Sequence, residues 1–337
     1  MTAEPASSRQ AARGNCSANV AAFTLDDFED FRRLFSQWSG EFRQISRGAF
    51  QGRARIYTGP GLRAFQVATN QSIFTRGLDK SDFAIVIPIT PACEATLWRG
   101  RKLSAGQLLV KGPNVEYYNQ TARNTEFNAL LVPVQIIKRL VGADTEFLVG
   151  RKAYSSLALT PTANAIRRLE ASIDALLAQP GPVDEAKARS MEQACIDHLA
   201  DCLLGHGAQP RIQVLHSKRL DLLNQSLEFM NGRLGHDLSA KELYAELGVS
   251  GRTLRRSFKQ VLGTGPIAFF RLMRMNAVRQ ELKSNRESGR SVAGIAGRYG
   301  IRRLGEFAAD YRNLFGEMPS ETLCVRGHPG IQKTVRS

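Results

Sequence analysis

The sequence predicts an α+β chain: a β sandwich or barrel in the N-terminal half, a helical connector, and a C-terminal all-α domain holding two helix-turn-helix motifs joined by one long helix. Three observations carry this. Between about residues 50 and 135, short runs rich in β-branched and aromatic residues alternate with Gly, Pro and Asn signals. Near the C-terminus one pattern occurs twice, shifted by 53 positions: Leu254, Phe258, Gly263 and Pro266, then Phe307, Tyr311, Gly316 and Pro319. Charge is uneven as well, because residues 217–337 carry 21 Lys or Arg against 11 Asp or Glu, which is +10 of the +15 total.

A chain of 337 residues with 43% apolar content exceeds one average domain and can bury sizeable cores. Residues 1–19, rich in Ala, Ser and Arg, read as a flexible tail and not as a secretory signal. A β-rich unit is expected over 20–150, with strands at Arg53–Tyr57, Leu62–Ala68, Phe83–Thr90, Glu94–Trp98, Gln107–Lys111 and Thr125–Pro133. No apolar run approaches membrane-spanning length. The connector, 160–205, contains one helix opened by Thr160-Pro161 and a second from about Asp184 to Leu204. Their apolar stripes, Ile166/Leu169/Ile173/Leu176/Leu177 and Met191/Cys195/His198/Leu199/Cys202, suit intramolecular packing or a dimer seam.

In the first repeat, Ser239 and Glu242 have capping-box spacing, and Gly248 supplies the positive φ of a tight turn. Ser250 can cap the following helix, in which Leu254, Phe258 and Val261 face inward and leave Arg252, Thr253, Arg255 and Arg256 outward. In the second, Gly300 is the turn; Leu304, Phe307, Tyr311 and Phe315 form the inner stripe, with Arg302, Arg303, Glu306 and Arg312 outside. The motifs span 239–262 and 291–315. Between them a helix from Pro266 to about Ser284 spans roughly 27 Å, comparable with the roughly 34 Å between successive major grooves on one side of B-DNA. Arg271, Arg274 and Arg279 lie largely outside its apolar face.

At these residues the chain resembles the DNA-binding domain of the AraC/XylS family of bacterial transcription regulators, over about 217–325. Two departures are Tyr244, where the family usually has a small residue, and Gly305 inside the second recognition helix, which costs about 1 kcal/mol relative to alanine. The phrases Val249–Leu254, Arg274–Arg279 and Leu304–Tyr311 look like the branch containing the ethanolamine-utilisation operon regulator. The resemblance implies double-stranded DNA as partner, a small organic effector, a homodimer, RNA polymerase if the protein is an activator, and a cytoplasmic, nucleoid-associated location. It also implies a cupin-like N-terminal domain.

For DNA contact, Arg252, Thr253, Arg302 and Arg303 fall where recognition helices enter the major groove, and arginine there can pair with guanine O6 and N7. Ser250, Arg255, Arg256 and Arg312 equally suit phosphate, while Glu306 can accept from cytosine N4 or hold an arginine. Phe65, Phe83, Trp98, Tyr117, Tyr118 and Phe127 are the candidate walls of an effector pocket or ordinary core. Arg53, Arg55 and Tyr57 share a strand face, either solvated or anion-holding. All five histidines fall outside the β segment, so a cupin metal centre is not expected, and no cofactor is implied. The five cysteines, Cys16, Cys93, Cys195, Cys202 and Cys324, lack paired-motif spacing and suit a reducing compartment. No Gly-x-Ser-x-Gly elbow occurs. A non-enzymatic, sequence-specific regulator is the leading reading; a non-specific architectural DNA binder and an enzyme domain fused to a DNA-binding module are the alternatives.

Overall fold

A computed structural model describes residues 18–35, 38–79, 81–113, 116–142, 156–178, 180–205, 218–284, 290–324 and 332–333. The flexible tail expected over 1–19 lies outside the described residues up to 17, and residues 326–337, whose composition reads as a basic tail, lie outside them except for 332–333.

The N-terminal half is built from two antiparallel sheets. Its strands are β1 (Ala18–Leu25), β2 (Trp38–Gln44), β3 (Gly52–Thr58), β4 (Arg63–Thr69), β5 (Ile73–Asp79), β6 (Phe83–Pro88), β7 (Leu97–Trp98), β8 (Arg101–Lys102), β9 (Leu108–Lys111), β10 (Glu116–Gln120) and β11 (Thr125–Pro133). Three more come from elsewhere in the chain: β12 (Ser156–Leu159), β13 (Gly181–Val183) and β14 (Gln332–Lys333). The larger sheet runs β12-β9-β6-β11-β4-β3-β1-β13, with β14 also on β1; the smaller runs β2-β5-β10-β7-β8.

Both faces of the larger sheet are covered, so its strands read as nearly continuous apolar runs. One row, Ala64, Leu130, Val86 and Val110, crosses four paired strands and packs against helices α3 (Ala163–Leu177) and α4 (Glu185–Leu204). The row one residue along, Leu131, Ile85 and Lys111, turns toward the smaller sheet, as a side-chain period of two requires. The connector stripes are therefore buried within this chain: Leu169, Ile173, Cys195, Leu199 and Cys202 are each 0% exposed. Burial pushes the Cys195 and Cys202 thiols up to about 12, and no metal-competent cluster exists among the described residues.

Tyr57 is not on a solvated face with Arg53 and Arg55. Its end of β3 lies under α4, where the Tyr57 hydroxyl donates to Glu192 Oε1 at 3.0 Å. The same buried carboxylate accepts from the Gly61 and Leu62 N–H groups at 3.0 and 3.1 Å. A Cβ at Gly59 would sit 2.1 Å from Glu192 Oε1, so the Gly-Pro-Gly turn closes around it. The expected strand Glu94–Trp98 shortens to Leu97–Trp98 because a turn begins at Thr90, whose carbonyl accepts from Cys93 N at 3.1 Å.

Two short helices, α1 (Asp30–Leu34) and α2 (Val134–Val141), belong to the strand-rich half, and seven follow the connector: α5 (Lys218–Gly232), α6 (Ala240–Glu246), α7 (Gly251–Leu262), α8 (Pro266–Ser284), α9 (Val292–Arg298), α10 (Leu304–Phe315) and α11 (Pro319–Cys324). The capping box forms, with Ser239 N donating to Glu242 Oε2 and Glu242 N to Ser239 Oγ. Gly248, Gly263, Gly300 and Gly316 have φ of 61°, 68°, 66° and 77°, the left-handed region glycine enters cheaply. Tyr244 packs on Gly251, where a Cβ would lie 2.5 Å from its ring.

The helices do not stand apart from the sheets. Phe74 and Tyr118, on the outer face of the smaller sheet, share a core with Leu254, Phe258, Phe269 and Met273. Leu25, Phe28 and Phe31 share another with Val278, Ile295, Phe307, Tyr311 and Phe315. Polar contacts seal both seams: Asn276 exchanges two 3.0 Å hydrogen bonds with the Gln44 backbone, and Gln44 Nε2 donates to Leu314 O at 2.6 Å.

Two expected outcomes follow from these contacts, both read by denaturant unfolding. Gly248→Ala, with nothing within 4 Å of its added Cβ, should cost about 1 kcal/mol from its positive φ alone. Gly316→Ala should cost clearly more, since its Cβ would lie 2.7 Å from Ala49 N; equal costs would refute that close approach. Glu192→Ala, which strands three buried donors, should lose about 3 kcal/mol, and a loss below about 1 kcal/mol would refute the network.

Candidate nucleic-acid interface and sensor cavity

The two helix pairs present their basic residues as the repeat implies. On α7, Leu254 and Phe258 are fully buried while Arg252, Thr253, Arg255 and Arg256 are exposed. Ser250 is the N-cap, accepting from Thr253 N at 3.2 Å, and the two hydroxyls lie 2.9 Å apart. The cap thus orients Thr253 at the helix entrance. On α10 and the residues leading into it, Arg302, Arg303, Glu306 and Arg312 are all exposed, with Arg303 Nη1 3.1 Å from Glu306 Oε1. At such exposure that pair contributes little to stability, so Glu306 holds its arginine loosely.

The second unit departs from expectation in two ways. Helix α10 begins only at Leu304, which leaves Arg302 and Arg303 in the approach to the helix and not in its first turn. Leu304, assigned to the inner stripe, is 43% exposed; the buried stripe begins at Phe307 because the side chains ahead of it have no helix beneath them. Gly305 has open space where a Cβ would stand.

The linking helix α8 matches its expected bounds, but its arginines do not all face solvent. Arg279 is 6% exposed. Its guanidinium pairs with Asp27 and, at 2.7 Å, with Glu317, between the rings of Phe28 and Phe315 at 5.4 and 5.1 Å. Lys283 also pairs with Asp27, which is 0% exposed. Burial alone would raise the Asp27 carboxyl, but Arg279 and Lys283 outweigh it and hold the group below the ordinary aspartate range. Sequence periodicity missed this cluster; an arginine toward the apolar side of α8 was the available signal.

Between the two sheets lies a cavity of about 70 Å³. Phe65, Trp98, Tyr117 and Phe127 line it, together with Phe31, Phe35, Phe42 and Lys111. Phe83 and Tyr118 do not. Phe83 sits at a strand end under the Arg63 guanidinium, 4.9 Å from its ring centroid. Tyr118 alternates with Tyr117 and faces the C-terminal helices, where burial pushes its hydroxyl up to about 12. Lys111, missed from sequence, is 1% exposed with its Nζ 4.4 Å from the Tyr117 ring centroid; a lysine ending the apolar run Leu108–Val110 was the legible hint.

Residues 243–323 match the family model described as a helix-turn-helix domain. Over this stretch the C-terminal unit is similar to AraC/XylS-type transcription regulators. Relatives include the XylDLEGF operon transcriptional activator 2 of Pseudomonas putida, 36% identical over 100 residues, 29% of this chain and 63% of that protein. The "Probable thc operon regulatory protein" of Rhodococcus erythropolis is 25% identical over 148 residues, 42% of this chain and 45% of its own length. The chain thus spans less than two thirds of either curated relative. A crystal structure of a transcriptional regulator with an AraC-type DNA-binding domain, from Chromobacterium violaceum, is 32% identical and covers 33% of this chain and 96% of that one, with a TM-score of 0.31. No described helix is long and apolar enough to cross a membrane.

The acid response of the Asp27 cluster has a definite sign. The depressed carboxyl contributes its full stabilisation above the ordinary aspartate value, near pH 4, and loses it as pH falls through the lower folded value. The groups facing it are Arg279, Lys283 and the neighbouring Glu29, whose carboxyl burial raises, with Glu317 and Tyr311 beyond Arg279. The melting-temperature gap between the parent chain and Asp27→Asn should therefore stay constant from about pH 5 to 8 and shrink below about pH 4; a gap that narrows near neutrality would contradict this arrangement.

Proposed function

We propose that this protein is an effector-responsive, sequence-specific transcription regulator, an activator by analogy with its relatives, that reads two successive major-groove segments. The observation that carries it is the outward presentation of Arg252, Thr253, Arg302 and Arg303 on the matched domain, while the apolar sides of the same helices are buried. The 19-residue α8, about 28 Å long, sets a separation compatible with one turn of B-DNA. The cavity between the sheets is the effector site in this reading. The partners are double-stranded DNA, a second copy of the chain on a two-site operator, and RNA polymerase. The phrases resembling the ethanolamine-utilisation branch concern the DNA-binding domain alone and name no effector.

Mapping the purified chain on sheared genomic DNA of its own organism, at physiological salt, tests this. Discrete peaks that weaken in Arg302→Ala/Arg303→Ala are expected; uniform coverage unchanged by the substitutions would leave an architectural binder instead. At a mapped site, Arg252→Ala should cost about 1–3 kcal/mol and relax the preference at one base pair if it pairs with guanine. A uniform loss across sequences would instead assign Arg252 to phosphate.

A further inference from the structure

Among the described residues two large apolar side chains stand exposed, Leu204 at 54% and Leu304 at 43%. A single exposed leucine is ordinary, and Leu204, the last residue of α4, is such a case. Leu304 differs in its place. It opens α10, with exposed Arg302 and Arg303 before it and exposed Glu306 after it. A leucine beside cations suits a partner that is anionic at its border and apolar within. The major groove has that character, since phosphates line it and thymine methyls project into it.

The repeat sets the two units in contrast. At the shift of 53 positions, Leu304 stands where the first unit has Gly251. Gly305, Glu306, Ala308 and Ala309 stand where it has Arg252, Thr253, Arg255 and Arg256. Four positions that carry three arginines and a threonine on α7 therefore carry no cation on α10, and no side chain that donates a hydrogen bond.

Space is exchanged as well. In the first unit the Tyr244 ring closes over Gly251, where an added Cβ would lie 2.5 Å from it. Counted from the turn glycine, the place of Tyr244 is taken in the second unit by Ala296, which is fully buried, and the Leu304 side chain is left in the open. Gly305 follows it. Its φ is not positive, and a Cβ there would meet nothing within 4 Å, so the fold itself does not call for glycine. A helix that brings its backbone close against a base edge does.

Chemistry then sorts the two segments of the DNA site. Arginine on α7 can pair with guanine O6 and N7, whereas a leucine on a helix start without donors has one major-groove feature to read, the C5-methyl of thymine. Taking the regulator reading above as its basis, we propose that Leu304 is a specificity-determining residue that packs on a thymine methyl. The operator is then asymmetric, with guanine in the segment under α7 and thymine in the segment under α10. Arg302 and Arg303, ahead of the helix, hold phosphate and set its depth in the groove. Gly305 admits the neighbouring base pair.

Removal of a single methyl group tests this. The full chain is bound to a pool of duplexes with a randomised core of about 30 base pairs, roughly three turns of B-DNA. The enriched duplex is then resynthesised with each thymine in turn replaced by deoxyuridine, which removes the C5-methyl and leaves pairing intact, and Kd is read by fluorescence anisotropy. At one or two thymines, about 10 base pairs from the position where Arg252→Ala relaxes the preference, the replacement should weaken binding about fourfold, equivalent to about 0.8 kcal/mol for one buried methylene-sized group. Leu304→Ala should bind the unmodified duplex about as weakly and lose the sensitivity to deoxyuridine there, while Leu204→Ala should behave as the parent chain. Gly305→Ala should raise the melting temperature, since alanine is the better helix former, and yet weaken binding several-fold; an alanine tolerated without loss of affinity overturns the close approach. Sensitivity that persists in Leu304→Ala, or that is absent from the parent chain, overturns the thymine assignment and leaves sequence-specific binding standing. A pool that yields no enriched sequence overturns the regulator reading and this assignment with it.

Discussion

A fully buried aspartate, Asp27, sets the relation between the two halves of this molecule. Taking a carboxylate out of water is expensive, and the cost is offset by the two cations that converge on it from α8 and by the Glu29 N–H, which donates to Asp27 Oδ1 at 2.8 Å. Arg279 is committed in turn to Glu317 and to the faces of Phe28 and Phe315. Removing Asp27 or Arg279 takes away the pair at the centre of the cluster, which joins residues 252 positions apart. Through it the strand-rich half and the DNA-binding domain share a core, and the chain behaves as one packed body and not as two beads on a linker.

The larger sheet imposes the second constraint. Its helix-facing rows consume the apolar stripes of α3 and α4, and its inner rows leave a small gap against the second sheet. That division follows from strand periodicity: neighbours such as Tyr117 and Tyr118 belong to different environments, one at the cavity and one at the DNA-binding helices. The cavity and the seam to the C-terminal helices are therefore opposite faces of the same thin layer. A change in how that layer packs is felt on both sides, since packed interiors transmit displacement and do not absorb it.

The exposed residues of α7 and α10 stand outside this packing. No described strand covers Arg252, Arg255, Arg256 or Arg312. Each pair is held to a different part of the β structure: the first rests on Phe74 and Tyr118, the second on Leu25, Phe28 and Phe31.

Much of the C-terminal domain was legible from residue order alone because its determinants are local. The Ser239 capping box, the turn glycines Gly248 and Gly300, the Ser250 cap and the bounds of α8 each depend on residues within one or two helical turns. Strands such as β4, β6, β9 and β11 were legible for the same reason, while β2, β5 and β10 escaped notice because polar residues interrupt them and their partners are distant. Tertiary structure alone decided what covers each face. It buried Arg279 beside Asp27, exposed Leu304, turned Tyr118 away from the cavity and Lys111 into it, and laid α3 and α4 on the sheet. Periodicity says which side chains share a face; only the assembled layers determine whether that face meets water, a core or an opposite charge.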